Sequence, residues 1–180
     1  AGAHVAERLG YRFKTSFALP KITWVRRHRP AVFAQTAFLT SPTDYIIGWL
    51  TDRWGRTDQN NALKWGYDLI EKRWPPFITG GLGLPANLLP EVQRPGEEVG
   101  KLLRRRADEL GLPHGTPVVA GTTDGCADQV ASGAAAPGEY NTSLGTTMIV
   151  KGVSDHLILD PEGRVYCHRH PDGWWLPGGA

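Results

Sequence analysis

At Pro137-Gly138 the sequence changes character, and that change limits the fold more than any other feature. Before it, apolar residues recur mostly at helical spacing, in segments cut short by proline and glycine. After it, short runs alternate in the manner of strands around glycine turns. The chain therefore reads as mixed α/β, made of two units that meet near Pro137, residues 1–137 and 138–180. No fixed-period internal repeat runs through either part.

Within the first unit the helix boundaries are marked by local chemistry. Pro20 sits at the start of a helix that carries Ile22, Trp24 and Val25 to about His28, because a first-turn proline has no N–H to leave unpaired. Pro30 restarts it as a short helical pattern over residues 31–36. Ser41-Pro42-Thr43-Asp44 is a helix-start signal ahead of Tyr45, Ile46, Ile47, Trp49 and Leu50. Residues 55–58 read as a short strand and turn. Asp58 follows as a predicted N-cap for a helix through Ala62, Leu63, Trp65 and Tyr67, and Trp74-Pro75-Pro76 closes that segment. Residues 78–100 read as connecting loop, and Glu98 to Leu110 as a polar helix. Val118-Val119-Ala120-Gly121 reads as a buried strand, and Thr122-Thr123-Asp124 as the opening of a helix through Ala127, Val130 and Ala131 that Gly133 stops. Trp24, Trp49 and Trp65 fall at core positions of these helices.

In the second unit, residues 139–143 and 147–151 form a predicted hairpin around Leu144-Gly145-Thr146. Residues 165–168 and 174–176 form two further strands, turned by Pro171-Asp172-Gly173. The chain opens in mid-pattern and closes on Pro177-Gly178-Gly179-Ala180, so it reads as an internal piece of a larger fold.

Charge and cysteine content narrow the function classes. The formal net charge is +2, which points to neither a nucleic acid nor a membrane surface. Lys101, Arg104, Arg105 and Arg106 form the one basic run, and Asp108 and Glu109 follow at once, so a solvated helix face accounts for it. Cys126 and Cys167 lie too far apart to suggest a disulfide framework, which suits a reducing cytosol. No apolar stretch approaches the ~20 residues of a membrane span, and no basic-then-apolar leader opens the chain. The expected location is cytoplasmic.

Asp124 is the strongest candidate for chemistry. It follows a predicted strand and stands at a helix N-terminus, where open α/β sheets bind ligands and where the helix dipole favours an anion. A carboxylate there can take a proton from an attacking hydroxyl, although the same local features suit a plain capping aspartate. Asp128, one turn on, reads as a structural partner. Gly145-Thr146-Thr147 is a glycine turn whose backbone N–H groups can approach a phosphate, or else a simple hairpin turn. Cys167-His168-Arg169-His170 places Cys167 with Arg169 and His168 with His170 on opposite strand faces. Two histidines do not make a closed zinc site, so a surface strand is expected there and no metal centre.

Taken in order, these features resemble the FGGY family of carbohydrate kinases. The segments that carry the likeness are Phe17-Ala18-Leu19-Pro20-Lys21-Ile22-Thr23-Trp24; Pro42-Thr43-Asp44-Tyr45 with Leu50-Thr51; Thr57-Asp58-Gln59-Asn60-Asn61-Ala62; Leu89-Pro90-Glu91-Val92 with Gly96; Gly115 to Asp124; and Ser143-Leu144-Gly145-Thr146-Thr147. The resemblance implies an actin-like ATPase fold of two ribonuclease H-like domains. The present chain would be the second half of the first domain, on the sugar side, and the start of the second, on the ATP side. It implies phosphoryl transfer from ATP with Mg²⁺ to a small sugar, Asp124 as general base, Gly145, Thr146 and Thr147 at the phosphates, and Ser16, Phe17 and Thr123 at the sugar. Residues 58–68 and 122–124 look most like the ribulose- and xylulose-kinase branch, so a ketopentose or related polyol is the expected acceptor. Gly125-Cys126 replaces the paired glutamines usual in the glycerol branch. Members also carry an amino-terminal phosphate hairpin and a carboxyl-terminal adenine-binding part outside this stretch, so the stretch alone is expected to be inactive. Homodimerisation is left open, and a non-catalytic nucleotide- or sugar-binding module is the alternative.

Overall fold

The computed structural model describes residues 3–179. Seven α-helices and eight strands follow one another in it: α1 Ala3–Leu9, α2 Ala18–His28, α3 Pro30–Ala34, α4 Pro42–Thr51, β1 Arg56–Asp58, α5 Gln59–Leu63, β2 Glu91–Gln93, β3 Glu98–Lys101, α6 Arg104–Leu110, β4 Pro117–Val119, α7 Asp124–Ala131, β5 Tyr140–Leu144, β6 Met148–Gly152, β7 Tyr166–Arg169 and β8 Trp175–Gly179.

Two of the helix starts are built from the side chains the sequence supplies. Ser41 caps α4 by accepting the Asp44 N–H at 3.2 Å, and the Asp44 carboxylate accepts the Ser41 N–H at 3.2 Å, a reciprocal capping box with Pro42 in the first turn. Asp58 caps α5 by accepting the N–H groups of Asn60 at 2.8 Å and Asn61 at 3.1 Å. Helix α5 ends at Leu63, sooner than the predicted Tyr67. Turns donating from Trp65 and Tyr67 to the Ala62 carbonyl replace its continuation.

Three small sheets form. β1 pairs with β2 in parallel, β3 with β4 antiparallel, and the last four strands make an antiparallel sheet in the order β5-β6-β8-β7. The β5–β6 hairpin is regular, with Tyr140 opposite Gly152 and Leu144 opposite Met148.

Several sequence expectations give way here. Residues 78–100, expected as loop, contain β2, the start of β3, a π-turn at Phe77–Gly81 and a 3-10 turn at Ala86–Leu88. The expected helix from Glu98 is strand until Lys101 and helical only from Arg104, because Glu98, Gly100 and Lys101 pair across to Val119, Val118 and Pro117. β4 is not buried: Val119 is 47% exposed, since among the described residues β3 is its one strand partner. Helix α7 runs Asp124–Ala131, as expected, and its buried residues are Cys126 and Gln129. Trp24 is 53% exposed and stacks on His28 rather than entering the core. Arg106 leaves the solvated face and lies over the Trp49 ring at 3.6 Å.

The main core ties both parts of the chain together. Val5, Leu9, Tyr11, Phe17, Leu63 and Leu69 are buried in one cluster, and Tyr166 and Trp175 from the strand-rich part pack against it. Each such large apolar side chain contributes about 1.5–3 kcal/mol on burial. Tyr11, Phe17 and Tyr166 form a ring of aromatic contacts with centroids 5.7–6.4 Å apart. That contact seats the segment preceding α2 against β7, and a cleft opens along the seam.

Candidate functional site

The cleft has a volume of about 620 Å³ and draws its walls from both parts of the chain. Ser16 and Phe17 come from the turn before α2, and Lys64 from the end of α5. Thr123, Asp124 and Gly125 come from the start of α7, and Ile149, Lys151, Tyr166 and His168 from the terminal sheet. Four of the residues singled out in the sequence, Ser16, Phe17, Thr123 and Asp124, thus border one space.

Thr123 occupies the N-cap position in an extended conformation (φ −74°, ψ 152°) and Asp124 is the first residue of the helix. The Asp124 carboxylate is exposed to the cleft, and its Oδ1 accepts the Gly125 N–H at 2.7 Å. Asp124 therefore does not cap α7. It stands one residue inside, where the unpaired N–H groups of the first turn favour its anionic form. Asp128 faces elsewhere: it accepts hydrogen bonds from Asn141 Nδ2 at 3.2 Å and from Ser143 Oγ, and so ties α7 to β5.

Gly145, Thr146 and Thr147 do not line the cleft. They form the exposed tip of the β5–β6 hairpin, where the Gly145 N–H donates to the Thr147 carbonyl at 3.3 Å. β6 runs from that tip into the cleft, where alternate residues Ile149 and Lys151 border the space. The turn and the cleft are thus two ends of one strand.

The cleft is lined by more cations than anions. Arg12, Lys14, Lys64 and Lys151 border it, and none forms a salt bridge among the described residues. Arg164 and Glu162, also on its rim, are paired with each other at 3.2 Å. Lys151 Nζ donates to Cys126 Sγ at 3.3 Å. A Cβ built on Gly125 would lie 3.5 Å from that same nitrogen, so the ammonium rests against the first turn of α7 beside Asp124.

His168 was expected on a surface strand and is instead buried, at 5% exposure, as are Cys167 and His170. The cause is β8 on one side of β7 and the core aromatics on the other: the Tyr166 ring lies 5.0 Å from the His168 ring. Burial, with Lys151 and Lys64 nearby, holds the His168 imidazole well below its ordinary range, so it is neutral. Among the described residues neither of its ring nitrogens has a hydrogen-bond partner. Burial also pushes the Cys167 thiol up to about 11. Among the described residues no three His, Cys, Asp or Glu side chains gather as a metal cage.

Sequence reasoning missed Lys64, Lys151 and Asn60, and set His168 aside as part of a surface strand. Asn60 donates from Nδ2 to Thr122 Oγ1 at 2.8 Å, and so fixes the approach to Asp124. Its place in the Asp58-Gln59-Asn60-Asn61 run marked a helix start but gave no hint of contacts so far along the chain.

Residues 1–131 match the profile described as the FGGY family of carbohydrate kinases, N-terminal domain. A xylulose kinase of Streptomyces rubiginosus is 35% identical over 173 residues, covering 96% of this chain and 35% of the relative. A xylulose kinase of Escherichia coli is 30% identical over 162 residues, covering 89% of this chain and 33% of the relative. Among solved structures, a xylulose kinase from Rhodospirillum rubrum superposes with a TM-score of 0.88 at 28% identity, covering 99% of this chain and 36% of that one. A Plasmodium falciparum glycerol kinase with ADP shares the fold at a TM-score of 0.84 and 15% identity, covering 99% of this chain and 37% of that one. The chain spans about a third of the length of the relatives it matches.

Proposed function

The chain belongs to the FGGY family of carbohydrate kinases and carries part of that family's actin-like fold, and from this premise we propose that it forms the sugar side and part of the ATP side of a kinase for a ketopentose or a related polyol. The acceptor class rests on the xylulose kinases among its relatives and on the likeness of residues 58–68 and 122–124 to that branch. Residues 1–137 supply the sugar pocket and the base, and residues 138–180 begin the unit that receives ATP. Such an enzyme works in the cytoplasm, where its nucleotide is.

The observation that carries this reading is the meeting of Asp124 with Ser16, Phe17 and Thr123 around one cleft that cations also line. In the proposed reaction the sugar lies against Phe17, with Ser16 and Thr123 hydroxyls as hydrogen-bond partners. Asp124 accepts the proton of the attacking hydroxyl as its oxygen bonds to the γ-phosphorus, and the bond from phosphorus to the ADP oxygen breaks. The Gly145-Thr146-Thr147 turn, at the other end of β6 from the cleft, is the proposed contact to ATP phosphate oxygens remote from the group in transfer. Mg²⁺ would arrive with ATP, held mainly by its phosphates and water, and would neutralise their charge with few protein ligands.

The test is ADP release by the full-length protein against a panel of ketopentoses, polyols and glycerol. The reading predicts release that depends on a ketopentose or polyol and exceeds that with glycerol. ATP binding without release under any of these sugars would instead favour a non-catalytic binding module, a use to which actin-like folds lend themselves.

A further inference from the structure

We propose that Lys151 is the cation that meets the transferred phosphoryl group, its ammonium seated against the first turn of α7 beside the carboxylate that takes the sugar proton; the inference rests on the kinase reading above and deepens it.

Three observations lead there. First, Lys151 reaches the mouth of α7 from the opposite unit. Its nitrogen would lie 3.5 Å from a Cβ on Gly125, the residue after Asp124. Second, it is uncommitted. It has no salt bridge among the described residues, and its one hydrogen bond, to Cys126 Sγ at 3.3 Å, leaves two N–H donors. A half-buried ammonium with no counter-ion is costly to keep unless a ligand supplies the charge. Third, the cleft holds a second group of the same kind. His168 is 5% exposed, borders the same space, and has no partner for either ring nitrogen among the described residues. A neutral imidazole offers one N–H and one acceptor, which suits a hydroxylated or phosphorylated ligand lying beneath Lys151.

The position along β6 fits the division of labour. Thr147 at the hairpin tip and Lys151 are four residues apart, or roughly 13 Å of extended chain. The turn therefore lies on the side of the nucleoside-proximal phosphates, while Lys151 serves the group in transit beside Asp124. An ammonium there gains most when negative charge moves onto the equatorial oxygens, so its effect falls on the chemical step more than on sugar binding. The same contact holds the anionic product after transfer.

The experiment compares the full-length protein with Lys151→Met, which keeps the side chain's length, and Lys151→Arg, which keeps its charge. Steady-state kinetics and thermal unfolding with added inorganic tripolyphosphate are both read. We expect Lys151→Met to lose roughly 100-fold in kcat with the sugar KM within about threefold. Lys151→Arg should recover a large part of that loss. Tripolyphosphate should raise the unfolding midpoint of the parent and of Lys151→Arg, and not that of Lys151→Met. The proposal is overturned if Lys151→Met keeps its kcat, or if all three proteins respond alike to tripolyphosphate. If the parent phosphorylates no sugar, the kinase reading fails by itself, and the tripolyphosphate comparison still decides whether Lys151 holds phosphate.

Discussion

Asn60 and Arg169 are joined by two opposed hydrogen bonds. Asn60 Oδ1 accepts the Arg169 N–H at 2.7 Å, and Asn60 Nδ2 donates to the Arg169 carbonyl at 2.9 Å. The side-chain amide thus completes the edge of β7 as another strand would, and it fastens the helical part of the chain to the strand-rich part directly behind the cleft. Nδ2 also reaches Thr122, two residues before the proposed base.

Replacing Asn60 by alanine leaves the N–H and the carbonyl of Arg169 without this partner in a buried seam. Each unsatisfied group costs about 1–3 kcal/mol, so Asn60→Ala is expected to lower stability by roughly 2–4 kcal/mol. Urea unfolding measures it. A change below about 0.5 kcal/mol, the ordinary surface value, would show that the seam does not depend on this residue.

How much of this was legible in the sequence depended on the range of the interactions. The Ser41 and Asp58 starts were readable because a capping side chain and its N–H groups lie within three residues. The β5–β6 hairpin was readable because its turn is local. Residues 98–101 were not, since their strand character comes from pairing with residues 117–119. Val118-Val119 carried the composition of a buried strand, but the number of strands that flank it is not written locally. Asp124 could be singled out from its strand–helix context and family likeness. Lys151 could not, and His168 was singled out only to be placed on a surface strand, because the surroundings of both lie across the seam.

Asp58 gives a pH signature. It is 1% exposed, and burial pushes its carboxyl up to about 6 from 3.8, against the hydrogen bonds from Asn61 and Asn60. A raised acid binds its proton more tightly folded than unfolded, so this contribution to stability is greatest below about pH 4 and is lost as pH rises through about 6. Its size is on the order of 3 kcal/mol. Asp58→Asn keeps a capping acceptor and removes the titration. Its stability should vary less than the parent's between about pH 4 and 6, with a residual slope from Asp44, which burial also raises. Parallel slopes in urea titrations across that range would contradict the assignment.

Ser16 is exposed at the cleft, so its hydroxyl can be removed with little effect on folding. One lost hydrogen bond to a bound sugar is worth about 1–1.5 kcal/mol. Ser16→Ala is therefore expected to raise the sugar KM about tenfold, with kcat and the KM for ATP nearly unchanged. An unchanged sugar KM would remove Ser16 from the pocket.

Asp124 bears the central claim, and its exchange for asparagine in the full-length protein tests it most directly. Sugar-dependent ADP release is measured beside sugar and ATP binding and thermal unfolding. Loss of a positioned general base predicts a kcat lower by roughly 100-fold to 10,000-fold, with binding and unfolding midpoint close to the parent's. A kcat within a few-fold of the parent's would contradict the account, and the proton acceptor would have to be sought elsewhere in the cleft.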